Sequence, residues 1–153
     1  MNERDQSEAI EVRTAQLSDI RSCKNIADRQ RDALGFLPRP VFAEAVQRGQ
    51  LLVAVAKQDI VGFVRFNHRL RGVETALYDI CVDAPTQRQG VGRRLVQALA
   101  DSCRKSGRIA IVLRCPESLP ANDFYACLGF QQVAIEPGRR RRLVVWRLAL
   151  AEA

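Results

Sequence analysis

A chain of 153 residues, 47% hydrophobic and 27% charged, has the make-up of one soluble globular domain, long enough to bury roughly 70% of its unfolded surface without metal or disulfide support. No apolar run nears the roughly 20 residues that span a bilayer, which excludes a membrane helix, and Met1–Ala9 lacks the basic start and apolar stretch of a signal peptide. The net charge of +7 fits nucleic acid, an acidic surface or a polyphosphate-bearing ligand, yet basic residues are spread along the chain and only Arg139–Arg142 forms a dense run.

Residues 1–9 read as a short frayed tail and residues 10–153 as a single domain. Glu11–Ala15 is a strand candidate, and Ser18-Asp19 is an N-cap pair for a helix over Ile20–Arg31. Ala33–Pro38 breaks that helix, and a second short helix runs from Arg39 to Arg48. Leu51–Lys57 and Ile60–His68 form a hairpin about the polar turn Gln58-Asp59. Ala76–Val82, apolar on both faces except at Tyr78 and Asp79, is a central strand. From Gly92 the period becomes helical, with Leu95, Val96, Leu99 and Cys103 on one stripe, until Gly107. Ile109–Cys115 is a buried strand, Pro116–Pro120 a loop, and Ala121–Leu128 a short helix closed by Gly129. Phe130–Ile135 and Leu143–Leu150 are closing strands around the loop Glu136–Arg142. This order predicts a mixed α/β (α+β) fold, one layer of sheet with helices packed on it.

The five cysteines (Cys23, Cys81, Cys103, Cys115 and Cys127) are widely spaced, and His68 is the only histidine, so no Cys/His metal site is expected. They read as free thiols serving as small core residues in a reducing cytoplasm.

The most informative segment is Ile80–Arg93, ICVDAPTQRQGVGR. A central strand ends, a short turn follows, and Gly90 and Gly92 open an amphipathic helix. Glycines there let the chain turn sharply and let a ligand approach the main chain without meeting a Cβ. The N–H groups of the helix's first turn then point into open space at the positive end of the dipole, which suits a pyrophosphate. Arg88 and Arg93 flank the turn as counter-charges. A P-loop would need GxxxxGK[ST], which is absent, and a dinucleotide GxGxxG would need a glycine where Leu95 stands.

Gln87–Gly92 resembles the Q/R-x-x-G-x-G/A signature of the GNAT superfamily of acyl-CoA-dependent N-acyltransferases. With Arg93 it is similar to the ribosomal-protein N-terminal acetyltransferase branch. A second block, Ala121–Phe130 (ANDFYACLGF), resembles the family's A-x-x-x-Y-x-x-x-G-F. Over about Glu11–Leu150 the resemblance implies a mostly antiparallel central sheet flanked by helices, with a splayed central strand pair. It further implies acetyl-CoA held by the backbone of Gln87, Arg88, Gln89, Gly90, Val91, Gly92 and Arg93, with the pantetheine arm against Ile80, Cys81 and Val82. Asn122 is either an N-cap or a polar contact to the cofactor.

The chemistry asks for a neutral attacking amine. A lysine-like amine of pKa about 10.4 costs roughly 4.6 kcal/mol to deprotonate at neutral pH. The departing thiolate, of pKa about 8.5, then needs a proton. The resemblance assigns that donation to Tyr125, whose expected place early in a helix would favour it through the dipole; otherwise Tyr125 is a hydrogen-bonded core aromatic. Where many members carry a strand glutamate this chain has Ala76, the family's asparagine before the tyrosine is Ser118, and the branch's glutamate on the next strand is replaced at Leu113-Arg114. Glu74, Asp79 or a water chain is left as base.

Leu34–Pro38 and Glu136–Arg142 would frame the acceptor, a small-molecule or protein amine. The arginine run is a solvated surface, a selector of acidic substrates or peptides, or an RNA contact; the lack of interleaved aromatics disfavours nucleic acid. A homodimer is left open. The alternative to an enzyme is a non-catalytic module of the same fold that keeps coenzyme A or contacts RNA.

Overall fold

The computed structural model describes residues 10–68 and 72–151. The tail expected over residues 1–9 lies outside the described residues. The elements are β1 (Ile10–Thr14), α1 (Ile20–Arg29), α2 (Arg31–Leu34), α3 (Arg39–Gln47), β2 (Leu51–Ala56), β3 (Asp59–His68), β4 (Glu74–Val82), α4 (Val91–Lys105), β5 (Ala110–Pro116), α5 (Ala121–Cys127), β6 (Gln131–Pro137) and β7 (Arg142–Ala149), with 3-10 turns at Leu17–Asp19 and Ala84–Thr86.

The strands form a seven-stranded sheet in the order β1-β2-β3-β4-β5-β7-β6. The described pairings of β1 with β2, β2 with β3, β5 with β7 and β6 with β7 are antiparallel, and that of β4 with β5 is parallel. The expected mixed, mostly antiparallel sheet with flanking helices is therefore present. The β4–β5 register runs over Glu74↔Ala110, Thr75↔Ile111 and Ala76↔Val112, while β4 continues to Val82 and β5 to Pro116.

Two compact units divide the chain: residues up to Phe66 with Asp79–Leu99, and Asn67–Tyr78 with the residues from Ala100 onward. In the first, α1 buries Ile20, Cys23, Ile26 and Ala27, a helical stripe, in a core with Phe42, Leu51, Val53, Phe63 and Cys81. Phe42 and Phe63 meet edge to face at 5.4 Å. In the second, β5 buries Ala110, Ile111, Leu113 and Cys115, and β7 buries Val144, Val145 and Trp146.

Several local expectations are corrected. Asp19 does not cap α1: its carboxylate accepts from the Gln16 N–H (2.7 Å) and from Arg13 (2.7 Å), so it closes the preceding 3-10 turn instead. The break expected at Ala33 comes after another helical turn, because the Gln30 carbonyl accepts the N–H groups of Ala33 and Leu34, and the chain leaves at Gly35 (φ +73°). The hairpin turn sits one residue earlier than predicted, on Lys57 and Gln58, whose φ values of 50° and 70° match the two left-handed positions of a primed turn. Glu136 and Pro137, expected in a loop, pair with β7. Cys127 is exposed rather than a core residue, while the other four thiols are buried.

Candidate active site

In the first unit, β4 delivers the chain to the glycine turn. The Asp83 N–H bonds the Val61 carbonyl of β3 at 2.8 Å, so by strand alternation the backbone groups of Ile80 and Val82 turn away from β3. That is the orientation a ligand lying along the strand end requires. The Val82 carbonyl accepts from the side-chain amides of Gln87 (3.0 Å) and Gln30. Arg29 bonds the Asp83 carboxylate through Nε (3.2 Å) and Nη2 (3.0 Å), which fixes the end of α1 to the same strand end. The Cys81 thiol is pushed up to about 12 by burial first and by Asp83 and Asp79 next, so it is no nucleophile, and by the same alternation its backbone groups turn toward β3.

The turn then places Arg88 and Gly90 in left-handed backbone, at φ 66° and 82°. A Cβ on Gly90 would meet nothing within 4 Å, so this glycine serves the conformation and leaves open space above it. The first N–H to bond back is that of Arg94, to the Gly90 carbonyl at 3.1 Å. Ahead of it, the N–H groups of Gly90, Val91, Gly92 and Arg93 are those that a helix start leaves without intrahelical acceptors. Gln87, Arg88, Gln89, Gly90 and Arg93 are exposed, whereas Val91 is buried as the anchor.

That anchor rests on a residue the sequence reading did not single out. A Cβ on Gly62 of β3 would meet the Cys81 carbonyl at 2.9 Å and the Leu95 and Val91 side chains at 3.3 Å each. Only glycine lets the start of α4 sit this close to the strands. An isolated glycine inside an apolar strand pattern is the signal that marks such an approach.

In the second unit, Tyr125 is the fifth of the seven residues of α5, so the expected position early in a helix is corrected, and the argument from the helix's positive end with it. Tyr125 is 7% exposed and stands between the rings of Phe124 (5.5 Å) and Phe130 (5.7 Å). Its carbonyl accepts the Phe130 N–H at 3.1 Å as the chain turns through Gly129 at φ 93°. Pro120 takes the N-cap position, so Asn122 is not the cap. The Asn122 amide donates to the carbonyls of Pro116 (2.9 Å), Glu117 (3.2 Å) and Leu119 (2.8 Å), and its oxygen accepts from Trp146 Nε1 at 2.8 Å. Both donors and one lone pair are spent on holding the loop ahead of Tyr125. The single tryptophan was the available sign of this clamp, since a buried indole N–H needs an acceptor.

Both candidate carboxylates have arginine partners. Glu74 pairs with Arg147 at 2.9 Å in the second unit. Asp79 pairs with Arg65 at 2.6 Å in the first, and burial raises its carboxyl above the ordinary range despite the opposing pull of Arg65. In the Leu34–Pro38 segment, exposed Phe36 lies under Lys24 (4.6 Å) and Arg31 (4.9 Å), as a cation–π pair of contacts.

Residues 32–146 match the model of the acetyltransferase (GNAT) domain family. Glucosamine 6-phosphate N-acetyltransferase 1 of Oryza sativa subsp. japonica is 31% identical over 106 residues, which is 69% of this chain and 61% of that protein. The chain thus matches less than two thirds of that relative's length. The ribosomal-protein-S18-alanine N-acetyltransferase of Escherichia coli is 25% identical, with a TM-score of 0.78 over 94% of this chain and 96% of that one. The structure of yncA from Salmonella typhimurium, solved with its cofactor acetyl-CoA, is 20% identical, with a TM-score of 0.77 over 95% of this chain and 96% of that one. With an open glycine turn at the head of α4 and a family match covering most of its length, the chain belongs to the GNAT acetyltransferase domain family.

Proposed function

We propose that this protein is a cytoplasmic N-acetyltransferase that moves the acetyl group of acetyl-CoA onto a primary amine by direct attack. The observation that carries the reading is the Gln87–Arg93 turn: left-handed Arg88 and Gly90, open space over Gly90, and four helix-start N–H groups beside two exposed arginines. These residues hold the pyrophosphate, and the strand end Ile80–Val82 offers the pantetheine arm the backbone groups of Ile80 and Val82. Asn122 contributes through the loop it clamps. The neutral acceptor nitrogen attacks the thioester carbonyl, the C–S bond breaks, Tyr125 protonates the departing thiolate, and the proton that the nitrogen sheds returns to the tyrosine oxygen through water. The named relatives acetylate amines of two kinds, a phosphorylated sugar and a ribosomal protein. An amine acceptor, small or protein, is the class common to both.

Ala76, standing where many members have glutamate, favours one alternative: a module that binds coenzyme A without turnover. Calorimetric titration with acetyl-CoA, followed by thiol release against a panel of amines, separates the two. We expect binding and acceptor-dependent thiol release. No binding would remove both readings, and binding without release for every amine would favour the module.

A further inference from the structure

The β6–β7 hairpin carries three arginines whose charged neighbours, Glu136 and Arg142, are already paired elsewhere. Arg142, beside its turn, pairs bidentately with Glu117 through Nε (2.8 Å) and Nη2 (2.9 Å). On the same hairpin Glu136 is taken by Arg114, at 2.8 and 3.3 Å. Among the described residues no carboxylate pairs with Arg139, Arg140 or Arg141, and all three are exposed. The tip is also tightly formed. Pro137 pairs with Arg142, the Gly138 N–H bonds the Arg141 carbonyl at 2.9 Å, and a Cβ on Gly138 would collide with that carbonyl. Three guanidiniums on a turn of fixed shape lose less freedom on binding than three on a loose loop.

Within the second unit this tip is tied to the Tyr125 helix. The Glu117 N–H bonds the Arg142 carbonyl at 2.9 Å, and Asn122, one turn ahead of Tyr125, accepts from Trp146 of β7 at 2.8 Å. The loop that leads into α5 is therefore fastened at two points to β7, the strand that follows the arginines.

We propose that Arg139, Arg140 and Arg141 form a docking site for an acidic polypeptide segment, so that the preferred acceptor is a protein amine with acidic residues near it; this rests on the acetyltransferase reading above. A small anionic metabolite is the poorer fit, because such ligands are held by burying most of their surface and the three arginines are exposed. RNA is the poorer fit as well, since Gln131–Arg142 contains no aromatic side chain on which a base could stack. An acidic peptide needs neither: several carboxylates in an extended chain can each take a guanidinium.

The test is fluorescence anisotropy with a labelled peptide of alternating glutamate and serine, in the absence of acetyl-CoA. A peptide with glutamine in place of glutamate serves as the neutral control. The triple variant Arg139→Gln, Arg140→Gln, Arg141→Gln should bind the acidic peptide about tenfold more weakly than the parent protein, while keeping its unfolding midpoint and its calorimetric affinity for acetyl-CoA. Removing three exposed charges elsewhere, by Arg21→Gln, Arg39→Gln, Lys105→Gln, should change peptide binding by less than about twofold. No binding of the acidic peptide, or equal losses in the two triple variants, overturns the proposal. So does tighter, tip-dependent binding of a polyuridine RNA, or displacement of the peptide by equimolar inorganic phosphate. Acetyl-CoA binding is read separately, so the acetyltransferase reading stands or falls on its own titration.

Discussion

The glycine turn at the head of α4 and the Tyr125 corner of α5 are built in opposite ways. The turn is made of backbone: left-handed Arg88 and Gly90, N–H groups that point outward, and side chains that are mostly exposed. The corner is made of side chains: an asparagine with four hydrogen bonds, an indole, and two phenylalanine rings set at an angle to the buried Tyr125 ring. One region is defined by atoms that are missing, the other by atoms that are present. Substitutions that add atoms should therefore damage the first, and substitutions that remove them should damage the second.

The largest effect is expected from removing one oxygen in the corner. Tyr125→Phe keeps the ring packed against Phe124 and Phe130 and deletes the proposed acid. Turnover should fall about 10²- to 10⁴-fold while the calorimetric affinity for acetyl-CoA stays within about twofold. Turnover near the parent value would strip Tyr125 of that role and leave it as a core aromatic.

The complementary experiment adds atoms beneath the turn. Gly62→Val drives methyl groups at the Cys81 carbonyl and at Val91 and Leu95, all already closer than ordinary contact. Overpacking of this kind costs about 3 kcal/mol, read as a drop in the urea midpoint. Because the displaced residue is Val91, acetyl-CoA affinity should fall as well. A stable Gly62→Val protein with parental affinity would contradict the view that this close approach sets the turn. Removing atoms in the corner gives a smaller loss. Asn122→Ala strands the Trp146 N–H and frees the loop carbonyls, for about 2 kcal/mol of stability. The Asn122→Asp variant, which keeps the acceptor, should recover part of it.

The same contrast explains what the sequence disclosed. Glycine spacing, strand-to-helix period change and flanking arginines are local, so the 80–93 turn and nearly every element could be placed from the chain alone. Gly62, Gln30 and Trp146 act through partners far along the chain: Gly62 on Cys81 and Val91, Gln30 on Val82, Trp146 on Asn122. No local pattern names such partners. The misplaced cap shows the other limit. Ser18-Asp19 has the composition of a helix cap, but Arg13 and the Gln16 N–H compete for the same carboxylate and hold it. Tyr125 lies in the short helix that the sequence pattern predicts, yet its distance from the helix start depends on where Pro120 caps it, which the motif does not encode.

The smallest effects concern two side-chain pairs within the backbone-defined unit, and they should have opposite signs. Asp19 and Asp79 each face one arginine, at 2.7 and 2.6 Å. The hydrogen bond from Arg13 comes first at Asp19 and, with the Gln16 N–H, outweighs its burial, so its carboxyl is held below the ordinary range. At Asp79 burial comes first and Arg65 only partly offsets it, so its carboxyl is raised. For Asp19 the unfolded chain binds protons more readily than the native one. Its contribution to stability is present above the usual carboxylate pKa of about 3.9 and is lost as pH falls through the lower folded value. For Asp79 the native state holds the proton more readily, so stability declines as pH rises from about 3.9 through the higher folded value. Urea midpoints measured across the acid range for the parent, Asp19→Asn and Asp79→Asn proteins isolate the two terms. The parent's advantage over Asp19→Asn should grow as pH rises, and its advantage over Asp79→Asn should shrink over the window just above the usual carboxylate value. Parallel slopes would mean that the extra burial at Asp79 does not outweigh Arg65, and that both carboxylates act as ordinary paired anions.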